Sequence, residues 1–363
     1  MKRTILHSWH KERGAKMVEF AGWEMPLQYS TIREEHINVR EKAGLFDLSH
    51  MGRIRIRGKD RAAFIQQVFT NDLTKIRTGD VQYGFLCNPT GGVIDDVTVY
   101  MADDYLMLVV NAINTDKAVN WLKESVGNFQ VDIEDASYLV LMLAIQGPQA
   151  LQIMYDMTQI DLSNIGSYQF RVQHLHRSQA VVSRTGYTGE DGLEIYIASV
   201  YFQSLWEQLL EVGSKRGLIP IGLGARDTLR TEACLPLYGH ELSEEMSPLD
   251  AGLSRFVQFS KPDFIGKKAL IHSTNAEFSK KLICFEMTDK SIPRPGCPIV
   301  FGDLVIGNVT SGTYSPTFQR GIGMAYIDRL RSEPETPIMI QINDKPHPAV
   351  IRKRPLYKRR KQT

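Results

Sequence analysis

From Val93 to Tyr100 the chain alternates, with Val93, Asp95, Val97 and Val99 on one side and Ile94, Asp96, Thr98 and Tyr100 on the other. That period of two predicts a strand, entered through a tight turn at Gly91-Gly92. The neighbouring carboxylates therefore face opposite ways. Asp95 points into an apolar layer, where it needs donors or a positive partner. Asp96 stands beside a hydroxyl and a phenol, on a face that reads either as a pocket wall or as a solvated hairpin. The arrangement recurs where the glycine-rich run Arg184–Gly192 leads into Leu193, Ile195 and Ile197 on one face and Glu194 and Tyr196 on the other.

Around these two strands the pattern predicts a loop-rich aromatic opening and a helix from Thr31 to Ala43 stopped by Gly44. A compact connector, Leu45–Gly52, follows. Arg53–Arg57 alternates as a strand, Asp60 caps a helix through Phe69, and strands follow near 82–88, 93–101 and 105–110. A helix capped by Asn114 or Thr115 carries Val119, Leu122 and Val126 on its apolar side, before a strand near 130–133. One helix early and one late among hairpin-linked strands resembles a ferredoxin-like α+β unit. Further on, the chain predicts a buried strand at 139–145, a helix with Pro148 at its first position, strands at 170–175 and 180–183, a helix at 201–212, and a helical segment from Gly222 to Ala233. Beyond Lys280, short strands broken by Pro and Gly predict a small antiparallel sandwich or barrel, with Ser273–Lys281 as the linker.

Composition narrows the chemistry. In 363 residues, 43 Lys and Arg nearly balance 41 Asp and Glu, so the chain as a whole makes no electrostatic case for nucleic acid or membrane. Only Arg352–Lys361 is densely basic. Cys87, Cys234, Cys284 and Cys297 are scattered without C-x-x-C spacing, which predicts free thiols in a reducing compartment. Met1–His7 lacks an apolar core, predicting neither a secreted protein nor an organelle precursor, and the apolar run Tyr138–Ile145 is too short to span a bilayer. Neither a P-loop, a zinc-protease helix nor a nucleophile elbow is present, and Gly222-x-Gly224 lacks a third glycine. His50 and His240 read as satisfied structural histidines. The remaining carboxylates, tyrosines and single arginine suit a flat, nitrogen-rich ring such as a pterin or a purine.

Six motifs in order and in register, Phe46–Gly52, Gly91–Asp96, Ala144–Pro148, Arg184–Gly192, Gly222–Arg230 and Thr310–Pro316, resemble the folate-binding aminomethyltransferase family of the glycine cleavage system along the whole chain. The resemblance implies an α+β, three-domain fold with a ferredoxin-like unit and a C-terminal antiparallel β-barrel. Its parts would be a discontinuous folate-binding core (1–52 and 137–272), the ferredoxin-like domain (53–136) and the barrel (280–363). It also implies transfer of a one-carbon unit from the aminomethyl-dihydrolipoyl arm of lipoylated H protein to tetrahydrofolate, in the bacterial cytoplasm, without metal, flavin, nucleic acid or membrane. By motif, Asp96 matches the catalytic aspartate. Tyr83, Tyr100, Val110, Tyr168, Tyr187 and Glu194 match or adjoin folate-contacting positions, Arg226 the mouth for the lipoyl arm, and Arg359 a late arginine near the folate glutamate tail. Iron–sulfur-assembly relatives carry a cysteine in a K-G-C-Y-x-G-Q-E motif, and Thr185–Asp191 has none. A demethylase partner would need a dinucleotide-binding half that this chain lacks, and an RNA binder would depend on the basic tail alone. Arg53 departs from the family's usual acid or lysine and reads as a change of surface charge.

Overall fold

The computed structural model describes residues 1–175, 177–275, 280–302 and 304–359. The opening is not loop-rich: β1 (Lys2–Arg3), β2 (Lys16–Phe20) and β3 (Trp23–Gln28) form a three-stranded sheet, with α1 (His7–Glu12) after β1. Polar, half-exposed β2 shows little alternation, and the β2–β3 turn runs through Ala21 at φ 52° and Gly22 at φ 82°, a left-handed pair with only one glycine to announce it. α2 (Ile32–Glu41) starts as its cap predicts, Thr31 Oγ1 accepting the Glu34 N–H at 3.1 Å. It ends early, because Ala43–Asp47 is β4, a strand buried at every residue. A strand covered on both faces shows no alternation, so helix end and connector were the wrong reading there.

The ferredoxin-like pattern is realised almost as predicted, by β5 (Gly52–Arg57), α3 (Arg61–Val68), β6 (Val81–Cys87), β7 (Val93–Met101), β8 (Leu106–Val110), α4 (Thr115–Glu124) and β9 (Asp132–Asp135). The sheet runs β6-β7-β8-β5-β9; without β6 at the edge, this is the strand order of a ferredoxin-like sheet. Asp60 precedes α3 but makes no cap bond; its carboxylate accepts the Gln130 N–H at 2.8 Å.

A six-stranded sheet follows, built from β4 with β10 (Val140–Gln146), β11 (Phe170–Leu175), β12 (Ser178–Ser183), β13 (Gly192–Ala198) and β14 (Leu218–Pro220), in the order β11-β12-β13-β10-β4-β14. The connecting helices are α5 (Ala150–Thr158), α6 (Ser199–Gly213) and α7 (Leu223–Glu232). Pro148 lies in the turn before α5, not at its first position. Its neighbour Gly147, at φ 124°, lies so close to the Val39 and Lys42 carbonyls that a Cβ would come within 2.6 Å of each, so the chain turns there before it can coil. Phe202, Leu205, Trp206 and Leu209 of α6 pack on Leu143, Ile145, Leu193 and Ile195, all fully buried.

The third part begins with α8 (Lys267–Asn275), which the sequence pattern did not predict and which takes up Ser273 of the expected linker; 276–279 lie outside the described residues and Lys280–Lys281 already belong to a strand. The six expected strands are β15 (Lys280–Met287), β16 (Pro298–Phe301), β17 (Leu304–Ser315), β18 (Arg320–Asp328), β19 (Pro337–Ile342) and β20 (Lys345–Arg352). They close as a barrel, β15-β18-β17-β16-β19-β20, filled by Ile283, Phe285, Ile299, Ile327, Ile340 and Ile351. By internal contacts the chain divides into one unit of 1–84 and 96–226 and another of 85–95 and 227 onward. Among the described residues no helix is long and apolar enough to cross a membrane.

Candidate active site

Asp96 is half-buried on β7 and is held by two donors: Tyr83 Oη to Oδ2 at 3.0 Å and Asn111 Nδ2 to Oδ1 at 2.8 Å. Asn111 was not singled out in the sequence, although the hairpin register contains it. Thr98 pairs with Val109 and Tyr100 with Met107, so two residues further along the same ladder Asp96 stands opposite Asn111. Burial, the Asp96 charge and the hydrogen bond together push the Tyr83 phenol far above its ordinary range, so it donates to Asp96 as a neutral hydroxyl. Tyr187 and Tyr168 are its other electrostatic neighbours. Tyr168 is exposed, at φ 57°, and its backbone joins Arg184 (N–H to O, 3.1 Å) to Val81 (its O to N–H, 2.8 Å).

The second carboxylate lies in a different setting. Glu194 on β13 is buried; its Oε2 accepts the Thr185 hydroxyl, and the Tyr100 and Tyr196 hydroxyls each lie 3.4 Å from it. Tyr100 and Tyr196 bond each other at 2.7 Å. Glu194 Oε1 has no hydrogen-bond partner among the described residues. Burial raises the Glu194 pKa above 4.5, and the hydroxyls and Arg226 offset this only in part. The folded chain therefore holds that proton more tightly than the unfolded chain, and stability falls as pH rises from about 4.5 through the raised value. Glu194→Gln is expected to raise the thermal midpoint of the free protein at neutral pH and flatten its dependence on acidity, while weakening ligand binding; melts across about pH 4–8 with a binding titration check both.

The loop between these groups is rigid for reasons visible in its sequence. Arg184 and Asp191 close it with two bonds, 3.0 and 2.6 Å, and Arg40 reaches the Thr188 carbonyl and Glu190, each at 2.8 Å. Thr188 Oγ1 donates to Gln146 at 2.9 Å. This presents Tyr187, over whose ring the Arg226 guanidinium lies at 4.6 Å. Arg226 sits in the first turn of α7, whose approach is set by Gly222: its N–H donates to buried Glu35 at 2.7 Å, and a Cβ there would meet the Leu27 carbonyl at 2.2 Å. The adjacent Asp227 pairs with Arg230.

Asp96, Tyr83, Tyr187, Arg226, Glu194 and Tyr100 thus lie within one unit, joined by hydrogen bonds, a ring contact and electrostatic interaction. Val110 is fully buried opposite Gly52 at the end of β8, an apolar wall. Arg359 is exposed and belongs to the other unit. The basic tail is partly tied down, Arg352 to Glu286 at 3.3 Å and Arg354 to the Ala251 carbonyl at 2.9 Å, while Arg360 and Lys361 lie outside the described residues.

Two readings need correction. Arg53 carries no surface charge: it is wholly buried, donating to the carbonyls of Val140 at 2.8 Å, Ser49 at 3.0 Å, Met51 and Ser137. Its strand packs on both faces, so the polar side of the alternation is not the wet side. His50 is buried but not satisfied, Nδ1 having no partner among the described residues; His240 does bond the Thr310 carbonyl, at 3.0 Å.

Comparison with known proteins agrees with this geometry. The family described as GCVT N-terminal domain matches residues 6–261, and that described as Glycine cleavage T-protein C-terminal barrel domain matches 280–358. Proteins named Aminomethyltransferase from Alkaliphilus oremlandii (strain OhILAs) and Thermoanaerobacter sp. (strain X514) are 45% and 46% identical, each alignment covering 99% of this chain and 98% of the relative. The crystal structure of glycine cleavage system aminomethyltransferase T from Bartonella henselae superposes with a TM-score of 0.93 at 30% identity, over 99% of both chains. No comparison favours a non-transferase relative. With both carboxylates framed by tyrosines, and with full-length similarity in sequence and fold, the chain belongs to the glycine cleavage T-protein family and is an aminomethyltransferase.

Proposed function

We propose that the one-carbon acceptor is tetrahydrofolate, bound with its pterin between Asp96 and Glu194, and that the donor is the aminomethyl group on the dihydrolipoyl arm of lipoylated H protein. The observation that carries this reading is Glu194. A buried carboxylate with one oxygen bonded by Thr185 beside two phenol hydroxyls and the other unpartnered among the described residues suits the N–H edge of a flat heterocycle. Tyr83, Tyr100, Val110, Tyr168 and Tyr187 line that ring, and Arg226 stands where the arm enters.

In chemical terms, ammonia leaves a carbon bonded to sulfur and nitrogen, positive charge develops on that carbon, and as two folate nitrogens bond to it the C–S bond breaks and the dihydrolipoyl thiol is released. A carboxylate at 4 Å stabilises unit charge by about 4 kcal/mol in a partly screened site. Asp96, kept in place by Tyr83 and Asn111, supplies this field and orients the attacking nitrogen; proton transfer is secondary. The three-part division (1–52 with 137–272, 53–136, 280–363) belongs to the same proposal, as does a bacterial cytoplasmic setting, with which the four free cysteines agree.

Aminomethyl-loaded lipoylated carrier incubated with this protein is expected to release ammonia only when tetrahydrofolate is present, with methylene-tetrahydrofolate formed in equal amount. Ammonia release indifferent to folate would overturn the assignment. The basic tail adds a second expectation: rates with the carrier fall steeply with added salt, whereas rates with free aminomethyl-dihydrolipoamide do not.

A further inference from the structure

His50 combines three features that structural histidines rarely share. It is 2% exposed; its Nδ1 is enclosed without a partner, and Nε2, which is not enclosed, also has none among the described residues. A buried polar atom left unmade costs stability, so such a group calls for a reason. Meanwhile the backbone around it is unusually well held. Arg53 donates to the carbonyls of Ser49 and Met51, the residues on either side, and Asp47 Oδ1 accepts the Ser49 N–H at 2.9 Å. The Leu48 N–H reaches the Met142 carbonyl at 3.0 Å, and the Phe20 ring meets the imidazole edge-on at 5.8 Å. A side chain fixed so firmly and left unsatisfied is preorganised for something not yet bound.

The charges around it define what that partner is. Burial, then Arg226, then Arg53 depress the His50 pKa to about 3, with Asp47 opposing. The ring is therefore neutral throughout the physiological range, too weak a base to take a proton in the reaction, with one N–H to donate and one lone pair to accept. Strand pairing ties it to the site: Gly52, two residues on, stands opposite Val110, whose neighbour Asn111 holds Asp96.

We propose that His50 is a substrate-contacting residue of the transfer site, whose Nε2 shares a hydrogen bond with a polar group of the substrate, with Arg53 as the positioning residue that holds its loop. This rests on the placement of the site around Asp96 and Arg226. That polar group belongs either to the folate ring or to the aminomethyl group of the donor, and the two sources are separable by experiment.

His50→Leu and His50→Gln are assayed with loaded lipoylated carrier and tetrahydrofolate, alongside Asp96→Asn. His50→Leu is expected to lower kcat/KM about 10- to 100-fold while leaving the thermal midpoint unchanged or raised, since it removes an unpartnered buried nitrogen. His50→Gln, which keeps a neutral group able to donate or accept, restores much of the rate, and its pH profile matches the parent. Calorimetric titration with tetrahydrofolate alone assigns the source: weakened binding places the contact on folate, unchanged binding with a raised KM for the carrier places it on the donor. Wild-type kcat/KM in His50→Leu with Asp96→Asn inactive would overturn this proposal alone. Both variants remaining active would overturn the site as well. Loss of activity matched by an equal loss of folded protein, or a limb of the pH profile abolished in His50→Gln, would also exclude the role stated here.

Discussion

Asp96→Asn is expected to lower kcat about 10²- to 10³-fold with little change in folate affinity, the range seen when one preorganised electrostatic contact to a transition state is removed, or about 2.7–4 kcal/mol. The substitution isolates charge. Asparagine keeps the shape, its amide oxygen can still accept from Asn111, and the Tyr83 hydroxyl can rotate to accept from the new NH2 where it now donates. Fold stability should change by no more than about 1 kcal/mol. Turnover, a calorimetric folate titration and a thermal melt together decide the matter. Parallel loss of affinity and turnover would reduce Asp96 to an anchor, and wild-type turnover would remove it from the reaction.

Arg230→Met should produce the largest loss of stability. Arg230 is 1% exposed at the end of α7 and its guanidinium meets Glu241, itself wholly buried, at 3.0 Å, with Ser311 Oγ at 2.8 Å and Asp227 beyond. Glu241 also accepts the Leu237 N–H at 3.0 Å and the Ser311 hydroxyl at 2.6 Å, so it cannot follow its partner to solvent. Removing one member of such a pair leaves an uncompensated buried charge and costs about 3–5 kcal/mol, whereas replacing both by apolar residues of similar size is often neutral. Arg230→Met/Glu241→Leu is therefore expected to recover most of the loss by denaturant titration. A single variant that loses under about 1 kcal/mol, or a double variant worse than the single, contradicts this account.

Legibility differed by element for identifiable reasons. The barrel strands and the ferredoxin-like series could be placed because turns and alternation are local signals. β4 could not, being buried on both faces, and the first hairpin could not, because one of its two left-handed turn positions is Ala21. At the site, Asp96, Glu194 and the tyrosines were legible from strand faces and motif. Asn111 lay one register step away from being found, whereas Thr185, 9 residues from Glu194, entered only through the folded loop. The greater error was Arg53, where a charged side chain on an alternating strand was taken for solvent-facing. Four backbone carbonyls make its burial possible, and carbonyl positions are not written in the residue types around them.

The sequence by itself determined that Asp96 and Glu194 lie on strand faces shared with tyrosines, that the chain ends in a small antiparallel β domain, and that its motifs match a single family. Each of these depends on spacing within a few residues or on motif order. Only the tertiary structure decided what those carboxylates touch: Tyr83 and Asn111 for one, and for the other a hydroxyl cluster whose tyrosines stand 96 residues apart. It also decided that Arg226 lies over Tyr187, while its neighbour Arg230 is locked to Glu241. Strand periodicity is a property of the local backbone, but burial and pairing depend on which distant segments pack together, and identical side chains acquire different protonation and different roles from that packing alone.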